Sequence, residues 1–317
     1  MALPAPLVGR LRLPVVAAPM FLVSGPDLVI AACRAGVLGT FPALNQRTTT
    51  GLGEWLAVIE AALTPGDAPY GVNLIVHRTN ARLAADLEVV VAHRVPVVIT
   101  SLGAASEVVA AIHSYGGVVF HDVTTAAYAR KAIDAGVDGL ILVAAGAGGH
   151  GGSLSPFALM AEVRRSFSGT ILLAGAISSG ADVLAARAMG ADLAYLGTRF
   201  VATTESLASN DYREQVVTAG TADIVHTASV STIPANFLRR SLELAGLDPE
   251  APLGPVDLGH LTRPSQADAK AWRDSWSAGH GGAGIDSVLP VADLVDQLAN
   301  EYEAARARIL AEGCRRL

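Results

Sequence analysis

Only two cysteines occur in the 317 residues, Cys33 and Cys314, far apart and without metal-ligand or redox spacing. That spacing excludes a disulfide framework and a thiolate metal site, and a reducing cytoplasm becomes the expected compartment. Charge is also scarce. Asp, Glu, Lys and Arg make up 16% of the chain, the net charge is −6, and no Lys/Arg cluster stands out. Nucleic acid and anionic membrane are therefore not expected partners. No run of about eighteen uninterrupted apolar residues exists, so no membrane span is expected. Met1 to Val8 lacks the basic segment and long apolar stretch of a secretory signal. No metal constellation is present, and no Rossmann Gly-x-Gly-x-x-Gly with a distal acid is read.

Apolar residues, by contrast, make up 51% of the chain, enough to bury a large core. Short apolar runs alternate with Ala/Leu/Val-rich stretches of helical period. The predicted strands are 15–18, 38–41, 70–74, 97–100, 118–121, 139–143, 170–174 and 193–197. Eight strand–helix repeats imply a parallel sheet closed into a (β/α)8 TIM barrel, in the α/β class. A doubly wound open sheet is the competing architecture, and no strand-order reversal is needed to place the motifs. The junctions Ala135–Gly139 and Met189–Leu193 put Gly at a helix end and Asp before the next strand.

After Leu196 the pattern changes. Helical pieces at 206–219, 236–245 and 265–277 lie between Pro- and Gly-rich connectors, and 286–317 reads as one long amphipathic helix with Pro290 at an early turn. The expected organisation is a barrel of 1–205 plus 284–317, with an inserted, mostly helical lid domain at 206–283 before the last barrel helix. Trp272 and Trp276, four apart, are expected to pack that lid onto the barrel.

The loop after the sixth strand carries the clearest chemical signal. Ala144-Ala145-Gly146-Ala147-Gly148-Gly149-His150-Gly151-Gly152 surrounds one imidazole with almost no side-chain bulk. Such backbone can approach a flat ligand closely and offer N–H groups to it. A histidine with an ordinary pKa near ~6.5 exchanges protons at neutral pH. The bland alternative is a flexible surface loop with a solvated His.

In a barrel of this kind the active site lies at the C-terminal strand ends. Ala18-Pro19-Met20 follows the first strand, Asn73 ends the third, and His121-Asp122 ends the fifth. Gly175-Ala176 and Gly197-Thr198 follow the seventh and eighth. Either turn alone reads as an ordinary tight loop; together they form the phosphate cradle common in this fold. Met20 suits one face of a ring system or simple core filling. Asn73 either hydrogen-bonds a heterocycle edge or caps a turn. His121 and Asp122 must point opposite ways in a strand; Asp122 is read as the helix cap and His121 as the weaker site residue.

These residues resemble the nitronate monooxygenase family of FMN-dependent barrels. The matching pieces are Ala18-Pro19-Met20, Gly71-Val72-Asn73, Ala147-Gly148-Gly149-His150-Gly151, Leu173-Ala174-Gly175-Ala176-Ile177, Leu196-Gly197-Thr198-Arg199-Phe200 and Trp276-Ser277-Ala278-Gly279, in the family's order over nearly the whole chain. The resemblance implies FMN as cofactor. Met20 and Asn73 would touch the isoalloxazine, with Ala18, Pro19, His121, Ala147, Gly148 and Gly149 around it. Gly175, Ala176, Gly197 and Thr198 would hold the phosphate, and His150 would be the catalytic acid/base acting on nitroalkanes or alkyl nitronates with O2. The chain departs from the family at Asp122, where many members carry Lys; a carboxylate there opposes an anionic reduced flavin. It departs too at Val143 and Gly146, where several nitronate oxidisers have Gln and Glu, and at Gly279-His280-Gly281, usually Gly-Gln-Gly. The family also contains NAD(P)H-dependent reductases of quinones or enoyl thioesters, the alternative activity. A flavin-binding protein without catalysis is the remaining class, and a homodimer is compatible with either.

Overall fold

The computed structural model describes residues 3–103, 106–230, 233–250 and 274–313. Eight parallel strands close into a barrel: β1 (Val15–Ala17), β2 (Leu38–Pro42), β3 (Tyr70–Ile75), β4 (Val97–Ser101), β5 (Val118–Val123), β6 (Gly139–Val143), β7 (Thr170–Ala174) and β8 (Leu193–Leu196). Pairing runs in sequence order, and β8 returns to β1 through Val15↔Ala194 and Val16↔Tyr195. The open-sheet alternative is thereby removed. The helices that follow these strands are α1 (Pro26–Arg34), α2 (Thr49–Ala62), α3 (Leu83–Ala92), α4 (Ser106–His113), α5 (Ala126–Asp134), α6 (Pro156–Arg164), α7 (Gly180–Ala188) and the single turn α8 (Thr198–Val201).

Each strand alternates between two cores because successive side chains leave opposite faces. Val16, Leu38, Val97, Ile99, Val118, Phe120, Ile141, Leu172 and Leu193 fill the barrel interior. Residues one step out of phase, such as Val98, Val119, Leu140 and Leu142, pack outward with the helices. Cys33, on α1, is fully buried there, and burial pushes its thiol pKa up to about 12.

The local signals are those the sequence carries. Thr48 and Thr125 cap α2 and α5, and Ser179 with Asp182 forms a capping box on α7. The two Gly-x-Asp junctions close the barrel floor. Gly136 and Gly190 take φ +85° and +104° just beyond their helices. Asp138 then accepts the Val119 N–H at 2.7 Å, and Asp192 accepts the Ile171 N–H at 2.9 Å while pairing with Arg164.

Beyond β8 come α9 (Asn210–Thr218), an antiparallel pair β9 (Ile224–Thr227) and β10 (Ala235–Leu238), α10 (Arg239–Leu244) and the final helix α11 (Val291–Gly313). The helix expected from Asn236 starts only at Arg239, because 235–238 pair with β9. The helix expected through Ser277 does not extend there: Ser277 bridges Phe237 as extended chain, and 265–273 lie outside the described residues. Trp272, His260 and Cys314 also fall outside them. The last helix begins at Val291 rather than Asp286, since Leu289 pairs with Thr203 and the Pro290 carbonyl accepts the first helical bond. It docks so closely on α7 that a Cβ at Gly180 would stand 2.1 Å from the Leu298 carbonyl. No helix among the described residues is long and apolar enough to cross a membrane.

Candidate active site

The C-terminal strand ends open into a cavity of about 2170 Å3. The sequence-selected Ala18, Pro19, Met20, Asn73, His121, Ala147, Gly148, Gly149, His150, Gly175, Ala176, Gly197 and Thr198 all line it. Among the described residues no cluster of three or more His, Cys, Asp or Glu could hold a metal.

The Gly/His loop is not a free surface segment. Gly149 bridges Asn236 of β10 through two backbone hydrogen bonds, 2.9 and 3.2 Å. The Asn236 side chain, 4% exposed, donates to the Ala147 carbonyl at 2.6 Å and meets His226 Nδ1 at 3.0 Å. The Gly279 segment lies against the other side. A Cβ at Gly148 would stand 2.8 Å from the Gly279 nitrogen, and one at Gly279 would stand 2.4 Å from the Gly146 carbonyl. These glycines are required because two backbones touch. The loop has the spacing Gly-x-Gly-x-x-Gly, yet it opens no helix, since α6 starts only at Pro156. His150 is partly buried in this packing, and loss of water holds its pKa down to about 4. Near neutral pH the imidazole is therefore neutral and able to accept a proton.

The two turns that follow the next strands, β7 and β8, are built differently. Gly175 and Ala176 both have positive φ, +129° and +54°. Ala176 holds that strained form while its N–H donates to the Gly146 carbonyl at 3.3 Å, which ties the seventh strand end to the His loop. At Gly197 the nearest atoms to a Cβ would be Met20 Sδ at 3.8 Å and Ala18 Cβ and Met20 Cγ at 3.9 Å, ordinary contacts. Protein packing does not demand glycine there; the missing side chain leaves room in the cavity instead. Thr198 Oγ1 accepts the Gly279 N–H at 2.9 Å and keeps its own proton to donate. Ala18-Pro19-Met20 is set by Asn45, whose Nδ2 donates to the Met20 carbonyl at 3.0 Å, and by Ser24, whose Oγ accepts the Met20 N–H.

At the fifth strand the structure reverses the expected roles. Thr125 caps α5, so Asp122 is not a cap. Val118 and Phe120 face the barrel interior, and the same alternation turns Asp122 inward and His121 outward. His121 Nδ1 lies 2.7 Å from Thr100 Oγ1, on the helix-facing side with Val119 and Val123, and burial lowers its pKa to about 4. Asp122 instead joins a lumen-facing chain that the sequence reading missed. Asn73 Nδ2 donates to Ser101 Oγ at 2.8 Å, and Ser101 Oγ donates to Asp122 Oδ2 at 2.5 Å. Tyr195 faces the same interior. Extending the inward register of Val97 and Ile99 to Ser101, and of Leu193 to Tyr195, would have found both. Trp276 lies outside any helix, stacks on Tyr212 with ring centres 5.1 Å apart, and packs as expected against a cluster that joins the barrel's Val23, Val201 and Ala202 to the residues beyond β8.

A family model for nitronate monooxygenase matches residues 78–301, from the third strand's loop into the last helix. The chain belongs to the nitronate monooxygenase family. Full-length similarity agrees: a nitronate monooxygenase of Paraburkholderia phytofirmans is 28% identical, with 94% of each chain covered. A nitroalkane oxidase structure from Streptomyces ansochromogenes superposes with TM-score 0.80 at 29% identity, covering 96% of this chain and 100% of that one. A 5-hydroxy-7a-methyl-1-oxo-octahydro-1H-indene-4-carboxyl-CoA dehydrogenase of Mycobacterium tuberculosis is 32% identical over 72% of this chain and 64% of its own. The chain thus spans a little under two thirds of that relative's length. Membership places this chain in a flavoprotein family built on a TIM barrel.

Proposed function

We propose that the chain is an FMN-dependent oxidoreductase that oxidises alkyl nitronates and nitroalkanes with O2, with His150 as its acid/base. One observation carries this: a neutral, desolvated imidazole stands on side-chain-free backbone, in the same cavity as an open glycine turn at Gly197. The residues present fit FMN. Gly197 lines the cavity with no side chain and no close contact, Thr198 keeps a hydroxyl proton, and Gly175 adds backbone, which together suit a phosphate. Met20 Sδ beside Gly197 would pack against the ring, and Asn73 would face its edge. When bound, the flavin supplies electron acceptance and the route to O2.

The chain's own residues handle the proton and the charge. The uncharged His150 accepts the proton on the carbon beside a nitro group. The resulting imidazolium is costly in this partly buried position unless an anion neutralises it, and the nitronate formed next to it is that anion. The β10 clamp on Ala147 and Gly149 fixes the imidazole's height over the cavity. Purified protein should carry a flavin absorbance spectrum, and anaerobic alkyl nitronate should bleach it. Colourless protein that takes up no FMN would end this reading.

A second reading, an NAD(P)H-dependent reductase of an enoyl thioester or quinone, is favoured by cavity size. About 2170 Å3 exceeds the roughly 300–1,000 Å3 of common ligand sites. Phe21, Leu22 and Leu207, 48%, 42% and 53% exposed, add apolar surface at its edge. The relative named for a carboxyl-CoA substrate is consistent with this. Rapid anaerobic bleaching by NADH or NADPH, with none by nitronates, selects it.

A further inference from the structure

One polar atom in the cavity floor is left without an explanation. Asp122 Oδ1 is buried and, among the described residues, has no hydrogen-bond partner. Its sister Oδ2 accepts from Ser101, whose own lone pair is taken by Asn73. The Ser101 proton is therefore committed to Oδ2, and Oδ1 is the atom left for a ligand. The other groups that face the interior at this level are Val143 of β6 and Tyr195 of β8. None of Asn73, Ser101, Val143 and Tyr195 is a cation that would stabilise an ionised carboxylate.

We infer that Asp122 recognises the ring of the bound cofactor as a neutral acid, donating a hydrogen bond from Oδ1 to an acceptor atom on the ring's polar edge. The inference rests on the flavin reading above: an isoalloxazine edge offers two carbonyl oxygens and unprotonated ring nitrogens as acceptors against a single N–H donor, so a carboxyl with no cation beside it meets mostly acceptors there. An orphaned buried carboxyl oxygen is costly unless a ligand satisfies it. Burial already raises the Asp122 pKa to about 6 against the opposing Ser101 bond, and a flat ligand that excludes more water pushes it further the same way.

The test is FMN affinity against pH, read by fluorescence quenching, for wild type, Asp122→Asn and Asp122→Leu. Asn keeps a donor that cannot ionise. Below about pH 6 wild type and Asp122→Asn should bind alike. Above it the wild-type Kd should rise relative to Asp122→Asn, by up to about tenfold per pH unit until the bound-state pKa is passed. Titration of the FMN phosphate cancels in this ratio, and riboflavin, which lacks the phosphate, should give the same ratio. Asp122→Leu should bind roughly five- to tenfold more weakly than Asp122→Asn at every pH; if it does not fold, the Asn comparison decides alone. FMN binding with a flat wild-type to Asn ratio from pH 6 to about 8 overturns the inference. Folded wild type that binds no FMN at any pH overturns the flavin reading beneath it.

Discussion

Replacing Asn236 with Ala should loosen the His150 loop without unfolding the barrel. The substitution removes the 2.6 Å hydrogen bond from Nδ2 to the Ala147 carbonyl and the contact to His226, while the backbone bridge to Gly149 stays intact. A buried carbonyl left without its donor costs about 1–3 kcal/mol. That cost weighs on the closed loop and is relieved when the loop opens to water. The open population should therefore rise roughly 5- to 150-fold. The Gly149 amide reports this directly, because its N–H is held by the Asn236 backbone carbonyl at 3.2 Å and exchanges only on opening. Hydrogen exchange measured residue by residue should show Gly149 accelerated by that factor, with interior strand amides such as Ile99 and Phe120 unchanged. Unaltered exchange at Gly149 would refute the claim that β10 holds the His150 loop. Acceleration spread evenly over the barrel would refute it as well.

The pH dependence of stability should follow three groups, the buried His121 and the partly buried Asp122 and His150. His121 and His150 are held near 4, so stability is complete above about pH 6.5 and falls as they are forced to protonate; Asp122, raised to about 6, works in the opposite direction. Between about pH 4 and 6 the unfolded chain binds two more His protons and one fewer Asp proton, a net of one. Denaturation free energy should then drop by roughly 1.4 kcal/mol per pH unit on acidification, with a steeper drop in Asp122→Asn. A flat urea-denaturation series over that range would contradict these burials. Gly180→Ala should cost about 1–3 kcal/mol, because its Cβ meets the Leu298 carbonyl at 2.1 Å, and should lower Tm by several degrees. An unchanged Tm would mean that α11 can shift away from α7.

Most of the barrel was legible because its signals are local. Strand alternation, Gly at helix ends and Asp at strand starts each follow from short-range geometry, and those junctions turn out to stitch strand to strand through Asp138 and Asp192. The cavity's outline was legible for the same reason, since the strand ends and Gly-rich turns picked out line it. What could not be read was long-range. Asn236 looked like any lid polar residue until β10 brought it 89 positions back onto Ala147. The stretch from Ala235 has helical composition, but pairing with β9 wins. Asp122 was misassigned by choosing the wrong one of two opposite faces, although the inward register of Val118 and Phe120 already settles which one it takes.

The decisive measurement is rapid anaerobic mixing of FMN-loaded wild type and His150→Ala with a neutral nitroalkane and, separately, with its preformed nitronate. If the imidazole removes the proton, wild type is bleached by both. The variant should then lose roughly 10²–10⁴-fold in rate with the neutral nitroalkane and far less with the nitronate, FMN remaining bound. Equal losses with both substrates, or no loss with either, would contradict a proton-transfer role for His150.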